Sequence, residues 1–581
     1  MLVYGDIERT ENASALRHSL AEALSKIDVM TPGLQRHAAL VRAFIETGAF
    51  VQAIADAEFK ERGFDAGSHR QEIGARLLLS IASAIKRSWR DGFHTPVTVL
   101  ASAGLLLQAL DYAGPLDVRR PEGYAFYALY PETYLDAARA SGLGSDCRVI
   151  GIRSIGTGLA AMVATALGAR RPITLRPTGH PFRREISIGP ELATELTAIT
   201  ARDFAIVDEG PGLSGSSFAA VADWLESRGV AGRRIHFFPS HSGSPGAQAS
   251  PENRRRWSHS HRHVVEFDEA LVRSPNCEHR LETWIADLIG PLDEPLLNIS
   301  GGAWRHLRYS GEHLWPPADP RMERRKFLAR ANGKQWLAKF SGLGAVGERK
   351  LHKARMLHRA GFGPEVAGLC HGFLVQRWVD GAALEVEACD KNRLTDSLGR
   401  YLGLRAGFDA TNGGASLQAL FEMARHNTEQ ALGGDRADQL DRFFGRIGLA
   451  GDLSVHRIDS DNRLHVWEWL RLRDGRLMKM DGLDHSSSHD LVGCQDIAWD
   501  IAGAAVEHDL SPAELAKLCH LVERQSGRTV ERDLVRVMTP CYLAFQMGLW
   551  TFAGAANSAE AARTTTAIRR YQLRLTGFLD G

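Results

Sequence analysis

The sequence predicts a multidomain protein of the α/β and α+β classes. In it, a helical N-terminal segment precedes a parallel-sheet domain and a bilobal C-terminal domain. A chain of 581 residues is too long for one hydrophobic core. Between residues 118 and 242, short β-rich runs alternate with helical segments, which is typical of a parallel sheet. After residue 298, hairpin strands come first and long helices follow. We therefore expect domains at 1–115, 116–290 and 298–581.

The N-terminal region is predicted to be helical. Apolar residues recur at helical spacing from Leu34 to Phe59, and a second amphipathic pattern runs from Gln71 to Trp89. Asp91-Gly92 ends this second pattern. No residue pattern in the region indicates chemistry. We interpret it as a helical cap or an oligomerisation layer.

The middle region is predicted to contain parallel strands that are joined by helices. The predicted strands are 148–152, 173–176, 204–208 and 234–239, and the predicted helices between them are 158–167, 190–200 and 218–227. In a sheet of this kind, ligands bind at the carboxyl ends of the strands. The residues that follow each strand are therefore the candidates for a site.

One of these strand ends carries two acids, Asp208 and Glu209, and a loop of Gly, Pro and Ser follows them. Carboxylates at a strand end can accept hydrogen bonds from the vicinal hydroxyls of a ribose. Small loop residues let backbone N–H groups approach a phosphate, and the N-terminus of the next helix adds partial positive charge. The loop residues concerned are Gly212, Ser214, Gly215, Ser216 and Ser217. The segment therefore predicts a site for a ribose phosphate.

This segment resembles the signature of type I phosphoribosyltransferases, in which an apolar strand, two acids and a short loop precede Thr-Gly-x-Thr. The resemblance implies a phosphoribosyltransferase-like domain that uses PRPP and Mg²⁺. Asp208 and Glu209 would hold the ribose hydroxyls and the metal, and Ser214-Gly215-Ser216-Ser217 would hold the 5′-phosphate. The stretch between the acids and the Ser-Gly pair is one residue longer than in the family. A bulge that absorbs the extra glycine and a shifted ligand both remain open.

Further segments fit the same resemblance. The family has a short loop after its first strand that contacts pyrophosphate, and Arg153 and Gly156-Thr157-Gly158 take that place here. Residues 178–185 lie where the family has a mobile loop. The aromatic segment from Tyr124 to Tyr134 either stacks a base or packs in the core. A site for another nucleotide, or a purely structural turn, is the competing interpretation.

The C-terminal region begins with a predicted hairpin whose strands are joined across Asn332-Gly333, a strong turn signal. Lys339 lies in its second strand, and a helix that carries Glu348 follows. Later segments comprise a strand at 373–381, a hairpin over 464–480 and a helix that begins near residue 496. The later hairpin ends in Asp481. The region therefore places a lysine, a glutamate and an aspartate in a fixed order.

This order resembles the aminoglycoside phosphotransferase and choline kinase group of the protein-kinase-like fold. The resemblance implies that Lys339 binds the phosphates of ATP and pairs with Glu348, and that Asp481 holds Mg²⁺. In the catalytic loop, the chain departs from the pattern of the group. Arg457 stands where the group has its catalytic aspartate, so that Asp459 or Asp461 would serve from a shifted position. Asn462 takes the place of the metal-binding asparagine of the group.

The composition favours a small-molecule enzyme in the cytoplasm. The net charge of +1 gives no overall attraction to nucleic acid or to a membrane surface. No uncharged apolar run reaches the roughly 18 residues of a membrane span, and the first residues lack the apolar stretch of a secretory signal. The 7 cysteines are scattered without a CxxC pair, as in a reducing compartment. Whether the protein forms a homo-oligomer stays an open question.

The combined prediction is an enzyme that transfers a phosphoribosyl group from PRPP, or cleaves a nucleotide, with a nucleobase or nucleotide-like small molecule as partner. Its kinase-like part would use ATP to phosphorylate a small molecule. The alternative is a non-catalytic protein that senses nucleotides or PRPP and has a degenerate kinase fold. The longer acid loop and the shifted aspartate favour this alternative.

Overall fold

The computed structural model describes residues 8–96, 100–384, 390–411, 413–447, 453–487 and 492–581, which form a mixed α/β structure. The N-terminal elements are β1 (Glu8–Asn12), α1 (Ala13–Asp28), α2 (Leu34–Arg62), α3 (His69–Arg90), α4 (Leu100–Ala109) and β2 (Pro115–Arg119). The predicted helices are confirmed as α2 and α3. The pairing of β1 with β2 in an antiparallel ribbon was not predicted, because the two strands are separated by about a hundred residues of helix.

Helix α2 is long and apolar enough to cross a membrane when only length and composition are considered. In the structure, 67% of its most apolar stretch of 18 residues is buried inside the protein, as in a core helix. Phe44 and Ile54 on this helix are almost fully buried. The apolar surface of α2 is therefore accounted for by packing.

The middle part is built on a parallel sheet, as predicted. Its elements are α5 (Glu122–Phe126), α6 (Pro131–Ala140), β3 (Arg148–Ile152), α7 (Gly156–Leu167), β4 (Ile173–Leu175), β5 (Pro177–His180), β6 (Arg183–Ile186), α8 (Pro190–Thr197), β7 (Phe204–Val207), α9 (Ser216–Ser227), β8 (Ile235–Phe238), α10 (Pro251–His259), β9 (His261–Arg262) and α11 (Leu281–Ile289). The strand order is β4-β3-β7-β8-β9, and all neighbours are parallel. Strand β7 is central, and every residue in it is buried.

Strands β5 and β6 leave this sheet and form a separate antiparallel hairpin. The hairpin covers the segment that the sequence predicts to be a mobile loop. It pairs His180 with Arg183 at its tip, and it packs against α9. The hairpin therefore lies over the loop that follows β7.

The C-terminal part combines a sheet with a helical layer. Its elements are β10 (Leu297–Asn298), β11 (Lys326–Ala331), β12 (Lys334–Phe340), α12 (Ala345–Arg359), β13 (Val366–Cys370), β14 (Phe373–Arg377), β15 (Ala382–Ala383), α13 (Lys391–Ala406), α14 (Leu417–Leu432), α15 (Gly434–Arg446), β16 (Trp469–Arg471), β17 (Leu477–Lys479), α16 (Ile497–Glu507), α17 (Pro512–Ser526), α18 (Arg532–Ala556) and α19 (Ala561–Asp580). The first sheet is antiparallel in the order β10-β11-β12-β14-β13, and β15-β16-β17 form a second one.

The predicted hairpin is confirmed as β11 and β12. Its turn residues Asn332 and Gly333 both have positive φ values, 53° and 68°. A two-residue turn between twisted strands needs this left-handed backbone, which Asn and Gly adopt most readily. The turn chemistry therefore determines the register that brings Lys339 opposite Lys326 and Leu374.

The largest hydrophobic cluster crosses the predicted domain boundaries. It includes Leu40 from α2, Val149 from β3 and Phe340 from β12. A second cluster lies within the C-terminal part, from Ala354 to Leu575. The boundaries at 115–116 and 290–298 therefore stay predictions, since the core packs continuously across them.

Candidate functional sites

The two acids Asp208 and Glu209 follow the central strand β7 at its carboxyl end. The backbone N–H of Asp208 donates to the carbonyl of Phe238 at 3.3 Å, and the hydroxyl of Tyr134 donates to the carbonyl of Asp208 at 2.8 Å. These bonds hold the backbone of the acid pair at the edge where parallel sheets bind ligands. The pair therefore lies at the carboxyl end of a parallel strand, where the sequence predicts it.

The carboxyl of Asp208 is suited to a ligand that it does not yet contact. Burial raises its pKa to about 7. Its Oδ1 atom is buried, and no described residue hydrogen-bonds to it. A buried acceptor without a partner is costly unless a ligand satisfies it. Ribose hydroxyls or a Mg²⁺ ion would satisfy this atom, so the residues fit both groups.

The loop that follows the acids has the backbone that its glycines allow. Gly212 and Gly215 have positive φ values of 56° and 67°. The hydroxyls of Ser214 and Ser216 lie 2.9 Å apart, and both donate to the carbonyl of Pro181 at 3.4 and 3.1 Å. Pro181 is at the tip of the β5–β6 hairpin, so the hairpin rests on the predicted phosphate loop. Ser217 lies in the first turn of α9.

The first turn of α7 faces the acid pair, as predicted. A Cβ atom at Gly156 would lie 2.5 Å from the carbonyl oxygen of Val207, so only glycine allows this approach. The Oγ1 atom of Thr157 is buried, and no described residue hydrogen-bonds to it. Gly158 lines a cavity that Glu209 also lines. The helix N-terminus and the acids thus lie on one site.

Arg153 corrects a prediction, because its guanidinium does not face the site. Its side chain is fully buried, forms an ion pair with Asp65 and lies 3.4 Å from a carboxylate oxygen of Asp56. Both acids come from the N-terminal region. Arg176 lies within electrostatic range of Asp208. Arg176 is itself anchored to Asp56.

A cavity of about 190 Å³ opens beside Glu209. Its lining includes Arg119, Arg120, Tyr124, Ser154 and Gly158. The hydroxyl of Tyr124 is buried, and no described residue hydrogen-bonds to it. Tyr124, Tyr130 and Tyr134 of the aromatic segment all pack in the core, and Tyr124 also lines this cavity. The packing interpretation of the segment therefore holds, and stacking of a base on Tyr124 stays a prediction.

Gly123 controls the position of the Glu209 carboxylate. A Cβ atom at residue 123 would lie 2.9 Å from Cδ of Glu209 and 3.0 Å from both of its oxygens. The carboxylate is the end of a flexible side chain and can move, so we expect Gly123→Ala to fold normally. We expect its affinity for Mg²⁺-PRPP to fall about tenfold, equivalent to about 1.4 kcal/mol. Calorimetric titration measures this loss.

A matched control for that substitution is Gly445→Ala, because no atom lies within 4 Å of a Cβ at residue 445. Equal PRPP affinity in the wild type, Gly445→Ala and Gly123→Ala would show that the position of the Glu209 carboxylate does not matter for binding.

The C-terminal part has a second site, centred on Lys339. Its ammonium group donates to Asp481 at 2.7 Å and forms an ion pair with Asp484. Lys350 from α12 forms an ion pair with the other oxygen of Asp484. Burial alone would lower the pKa of Lys339, but the two carboxylates outweigh it and raise that pKa. Burial lowers the pKa of Lys350 to about 8, since only one carboxylate offsets it there.

The predicted pair of Lys339 with Glu348 is wrong. Glu348 forms an ion pair with Arg42 of α2 instead, and 51% of its side chain is exposed. The position two residues further along α12, Lys350, faces the site. The ion pair with Arg42 on α2 directs Glu348 away from the site. Sequence patterns within the C-terminal region do not reveal this pair.

The catalytic-loop residues differ sharply in exposure. The side chain of Asp461 is fully buried, 3.3 Å from Lys479 and hydrogen-bonded by Tyr401. Asp459 is 36% exposed, and Lys353 and Ser486 contact its carboxylate. Burial alone would raise the pKa of Asp459, but Lys353 outweighs it and keeps that pKa below the ordinary value. Asp459 is therefore the candidate that can reach a substrate.

Asn462 is used within the loop, which corrects its predicted role as a metal ligand. Its Nδ2 donates to the carbonyl of Gly493 at 2.6 Å, and its Oδ1 accepts from Ser460 at 2.7 Å. The backbone N–H groups of Asp461 and Asn462 both donate to Asp500, at 2.7 and 2.8 Å. Asp500 thus braces the loop.

The role of Asp481 as a metal ligand stays a prediction, and its surroundings are compatible with that role. Its Oδ1 atom is buried, and no described residue hydrogen-bonds to it. Burial alone would raise the pKa of Asp481, but Lys339 and His485 hold it low, so the carboxylate is charged. A charged oxygen without a partner fits Mg²⁺. His489 and Asp490, which follow Asp481 closely in the sequence and could extend its metal site, lie outside the described residues.

A cleft with a cavity of about 180 Å³ lies between the first sheet and the helical layer. Leu337 and Lys339 line it from the sheet, Trp378 from the segment after β14, and Leu470, Met480 and Asp481 from the other side. The lining thus combines apolar side chains with charged groups such as Lys339 and Asp481, which suits an aromatic ring that bears phosphates. Lys350 and Lys353 form ion pairs with Asp484 and Asp459 beside this cleft and were missed by the sequence analysis. The sequence signal that could have found them is that Lys350 and Lys353 fall on the face of α12 that is buried.

Comparisons with known proteins give low similarity. The chain is similar to choline kinase LicA from Streptococcus pneumoniae, with 17% identity over 42% of this chain and 89% of that chain and a TM-score of 0.30. It is similar to a choline/ethanolamine kinase family protein from Mesorhizobium loti, with 17% identity, 50% and 90% coverage and a TM-score of 0.34. An AMP-bound spectinomycin phosphotransferase gives 12% identity, 43% and 90% coverage and a TM-score of 0.29. At such values the likeness carries no argument about activity. No family model and no curated protein matches the chain.

Proposed function

We propose that this protein is a transferase with two sites: one for phosphoribosyl transfer from PRPP and one for ATP-dependent phosphoryl transfer to a small molecule. The first site is the acid pair with the loops after β3 and β7. The second is the cleft that contains Lys339 and Asp481. Each site rests on one observation of its own.

The unpartnered Oδ1 of Asp208, at the carboxyl end of β7, supports the phosphoribosyl site. In the proposed reaction, Asp208 and Glu209 bind the ribose hydroxyls, and the serine loop binds the 5′-phosphate. The bond from the ribose carbon to pyrophosphate breaks as an acceptor nitrogen attacks from the cavity side. Arg176 contributes positive charge near the departing pyrophosphate. Bound Mg²⁺ would neutralise charge on the pyrophosphate.

The joint ion pairs of Lys339 with Asp481 and Asp484 at the end of an apolar cleft support the phosphoryl-transfer site. In this proposal, Lys339 binds phosphate oxygens of ATP, and the apolar walls enclose the adenine. Asp459 accepts the proton of the acceptor hydroxyl as its oxygen attacks phosphorus. Asp481 would hold Mg²⁺, which would neutralise charge on the phosphates of ATP.

The test of the second site is ATP binding in Lys339→Met. We expect affinity for Mg²⁺-ATP to fall about 100-fold, because one charged contact of about 3 kcal/mol is lost. Lys334→Met is the matched control, since Lys334 begins the same strand and is exposed. We also expect Glu348→Gln to bind ATP as the wild type does. Calorimetry and a thermal melt of each variant separate loss of binding from loss of folding.

If Lys339→Met folds and binds ATP with unchanged affinity, the cleft is not the nucleotide site. If the melt shows that Lys339→Met is unfolded, Asp484→Asn is tested in its place, because it keeps the shape of the side chain and removes one charge from the cluster. Unchanged ATP affinity in Asp484→Asn would also show that the cleft is not the nucleotide site.

The alternative, a sensor without turnover, has one observation in its favour. Asn462 forms hydrogen bonds with Ser460 and Gly493, and Asp461 forms an ion pair with Lys479. The loop therefore lacks two of the groups that the kinase resemblance implies. Tight binding of ATP and PRPP, with neither ADP nor pyrophosphate released in the presence of acceptors, would select the sensor.

A further inference from the structure

Three side chains that commonly bind metals meet inside the protein and belong to neither proposed site. They are His37 on α2, Glu132 on α6 and His371 in the turn between β13 and β14. The Nε2 atom of each histidine lies 2.8 Å from Oε1 of Glu132. Each residue offers one ligand atom, and these atoms all lie within 4.8 Å of one another. At most 1% of each side chain is exposed. The fold thus brings two imidazoles and a carboxylate together from three distant segments.

The donor atoms and their spacing suit a zinc ion. Two imidazole nitrogens with a glutamate are a donor set that Zn²⁺ binds in proteins. Donor atoms about 2.1 Å from a tetrahedral Zn²⁺ lie about 3.4 Å apart, so the distances of 2.8 Å need to widen by only about half an ångström. Oε2 of Glu132 is buried, and no described residue hydrogen-bonds to it. It supplies a fourth donor atom, because a carboxylate can bind a metal through both oxygens.

Neighbouring polar groups hold the two histidines in place. Nδ1 of His37 lies 3.0 Å from the hydroxyl oxygen of Ser88 on α3. With its proton on Nδ1, His37 donates to that oxygen and directs the lone pair of Nε2 toward Glu132. The hydroxyl of Tyr130 donates to the carbonyl of His371 at 2.7 Å, which fixes the turn that carries this residue. Such outer contacts are typical of histidines that bind a metal.

The surroundings of the cluster favour a bound cation. Among the residues that the structure describes, no lysine or arginine pairs with the carboxylate of Glu132. Trp89 stacks on His37 with ring centroids 5.8 Å apart. Trp284 lies edge-on to His371, with centroids 5.4 Å apart. A buried carboxylate among aromatic rings is costly without a positive charge beside it. A divalent cation supplies this charge, and a proton on one of the histidines is the alternative source.

We propose that His37, Glu132 and His371 form a structural Zn²⁺ site that joins the N-terminal, middle and C-terminal parts of the chain. The ion is held by Nε2 of each histidine and by both carboxylate oxygens of Glu132. These four donors fill a tetrahedral shell and leave no position for a substrate, which makes the site structural. When the ion binds, the proton of His37 resides on Nδ1 and is donated to Ser88. The proposal is independent of the proposed function, because none of its ligands belongs to either proposed site.

The test measures zinc in the untagged full-length protein by elemental mass spectrometry. We expect about one Zn²⁺ per chain in the wild type, held through purification. After the zinc is removed with a chelator, added Co²⁺ should give the visible absorption of a tetrahedral site. We expect both signals to be lost in His371→Asn and in Glu132→Gln. Asparagine suits position 371, because His371 has a left-handed backbone with φ 38° that Asn adopts readily.

The control variant is His263→Asn, which changes a histidine of a different cluster. A ring nitrogen of His263 lies 3.0 Å from one of His236, and His261 stacks on His236. Zinc that binds adventitiously would collect at these partly exposed histidines. We therefore expect His263→Asn to keep the wild-type zinc content. Loss of zinc in His263→Asn together with retention in His371→Asn would overturn the proposal.

Thermal melts show which variants fold, and a folded Glu132→Gln or His371→Asn that keeps its zinc would also overturn the proposal. A wild type that takes up neither Zn²⁺ nor Co²⁺ would do the same and would leave a proton as the charge beside Glu132. If both ligand variants are unfolded, X-ray absorption at the zinc edge of the wild type decides. A shell of two imidazoles and carboxylate oxygens supports the site, whereas three imidazoles or a sulfur ligand refute it.

Discussion

Binding of Mg²⁺-PRPP is expected to fall about 100-fold or more in the double variant Asp208→Asn and Glu209→Gln. The two carboxylates follow β7 at its carboxyl end, and each variant side chain loses a charged hydrogen bond of about 1.5–3 kcal/mol. The amides keep the size of the side chains, so we expect the fold to persist. Calorimetric titration at pH 8, with a thermal melt, measures both properties.

The control variant is Asp223→Asn with Glu226→Gln, an acid pair on α9 whose side chains are 63% and 37% exposed and pair with Arg256. It removes the same two charges from the same part of the fold, and we expect PRPP affinity to be unchanged. Wild-type affinity in the Asp208 and Glu209 variant would refute the phosphoribosyl site.

The pH dependence of this binding gives a second readout of the same prediction. Burial raises the pKa of Asp208 to about 7, so the carboxyl is protonated below that pH in the unliganded protein. A ligand that needs the carboxylate must displace the proton, and its affinity falls as pH falls, by up to roughly tenfold per pH unit below 7. A flat affinity profile from pH 8 to pH 5.5 would show that Asp208 does not contact PRPP or its metal.

Glu132→Ala is expected to cost about 3–5 kcal/mol in the free energy of unfolding, because it removes the centre of a buried hydrogen-bonded cluster. The Oε1 atom of Glu132 accepts from Nε2 of His37 and from Nε2 of His371, both at 2.8 Å. All three side chains are almost fully buried. They come from α2, α6 and the turn between β13 and β14, so the cluster joins three distant parts of the chain. Urea titration measures the loss.

The matched control is Glu191→Ala. Both glutamates follow a proline in the first turn of a helix, but Glu191 is exposed. We expect it to cost less than about 1 kcal/mol. A Glu132→Ala protein as stable as Glu191→Ala would show that the cluster does not hold these parts together.

Acid should weaken the same cluster. Burial lowers the pKa of His37 below its ordinary 6.5, so the unfolded chain takes up this proton first. Burial alone would raise the pKa of Glu132, but His371 and His37 hold it below 4.5. Both shifts contribute stability that is present above pH 6.5 and is lost as pH falls. The wild-type melting temperature is therefore expected to fall between pH 7 and pH 4, for the same reason that Glu132→Ala loses stability.

Local patterns predicted the elements that carry both sites. The apolar run 204–207 followed by acids and glycines predicted the strand β7, its loop and α9, because each step depends on neighbouring residues. Asn332-Gly333 predicted the hairpin that presents Lys339, because only a few residues adopt its turn. These parts of the fold could be predicted since backbone conformation and burial pattern are encoded within a few residues of one another.

The partners of the site residues could not be predicted in this way. Arg153 lies at a strand end that suits an anion, yet Asp65, almost ninety residues earlier, binds it. Glu348 follows the lysine strand as a kinase pattern requires, yet Arg42 binds it from α2. Side-chain pairing depends on which elements pack together, and a single sequence does not show how distant helices pack.

The positions of the strands, turns and acid-bearing loops follow from sequence patterns alone, because propensity, periodicity and turn chemistry are local properties. Long-range packing brings Lys339 against Asp481 and Asp484, and it leaves Asp459 rather than Asp461 accessible. Each of these depends on residues more than a hundred positions apart, or on the depth at which a side chain is buried. Such relations arise from packing of the whole chain.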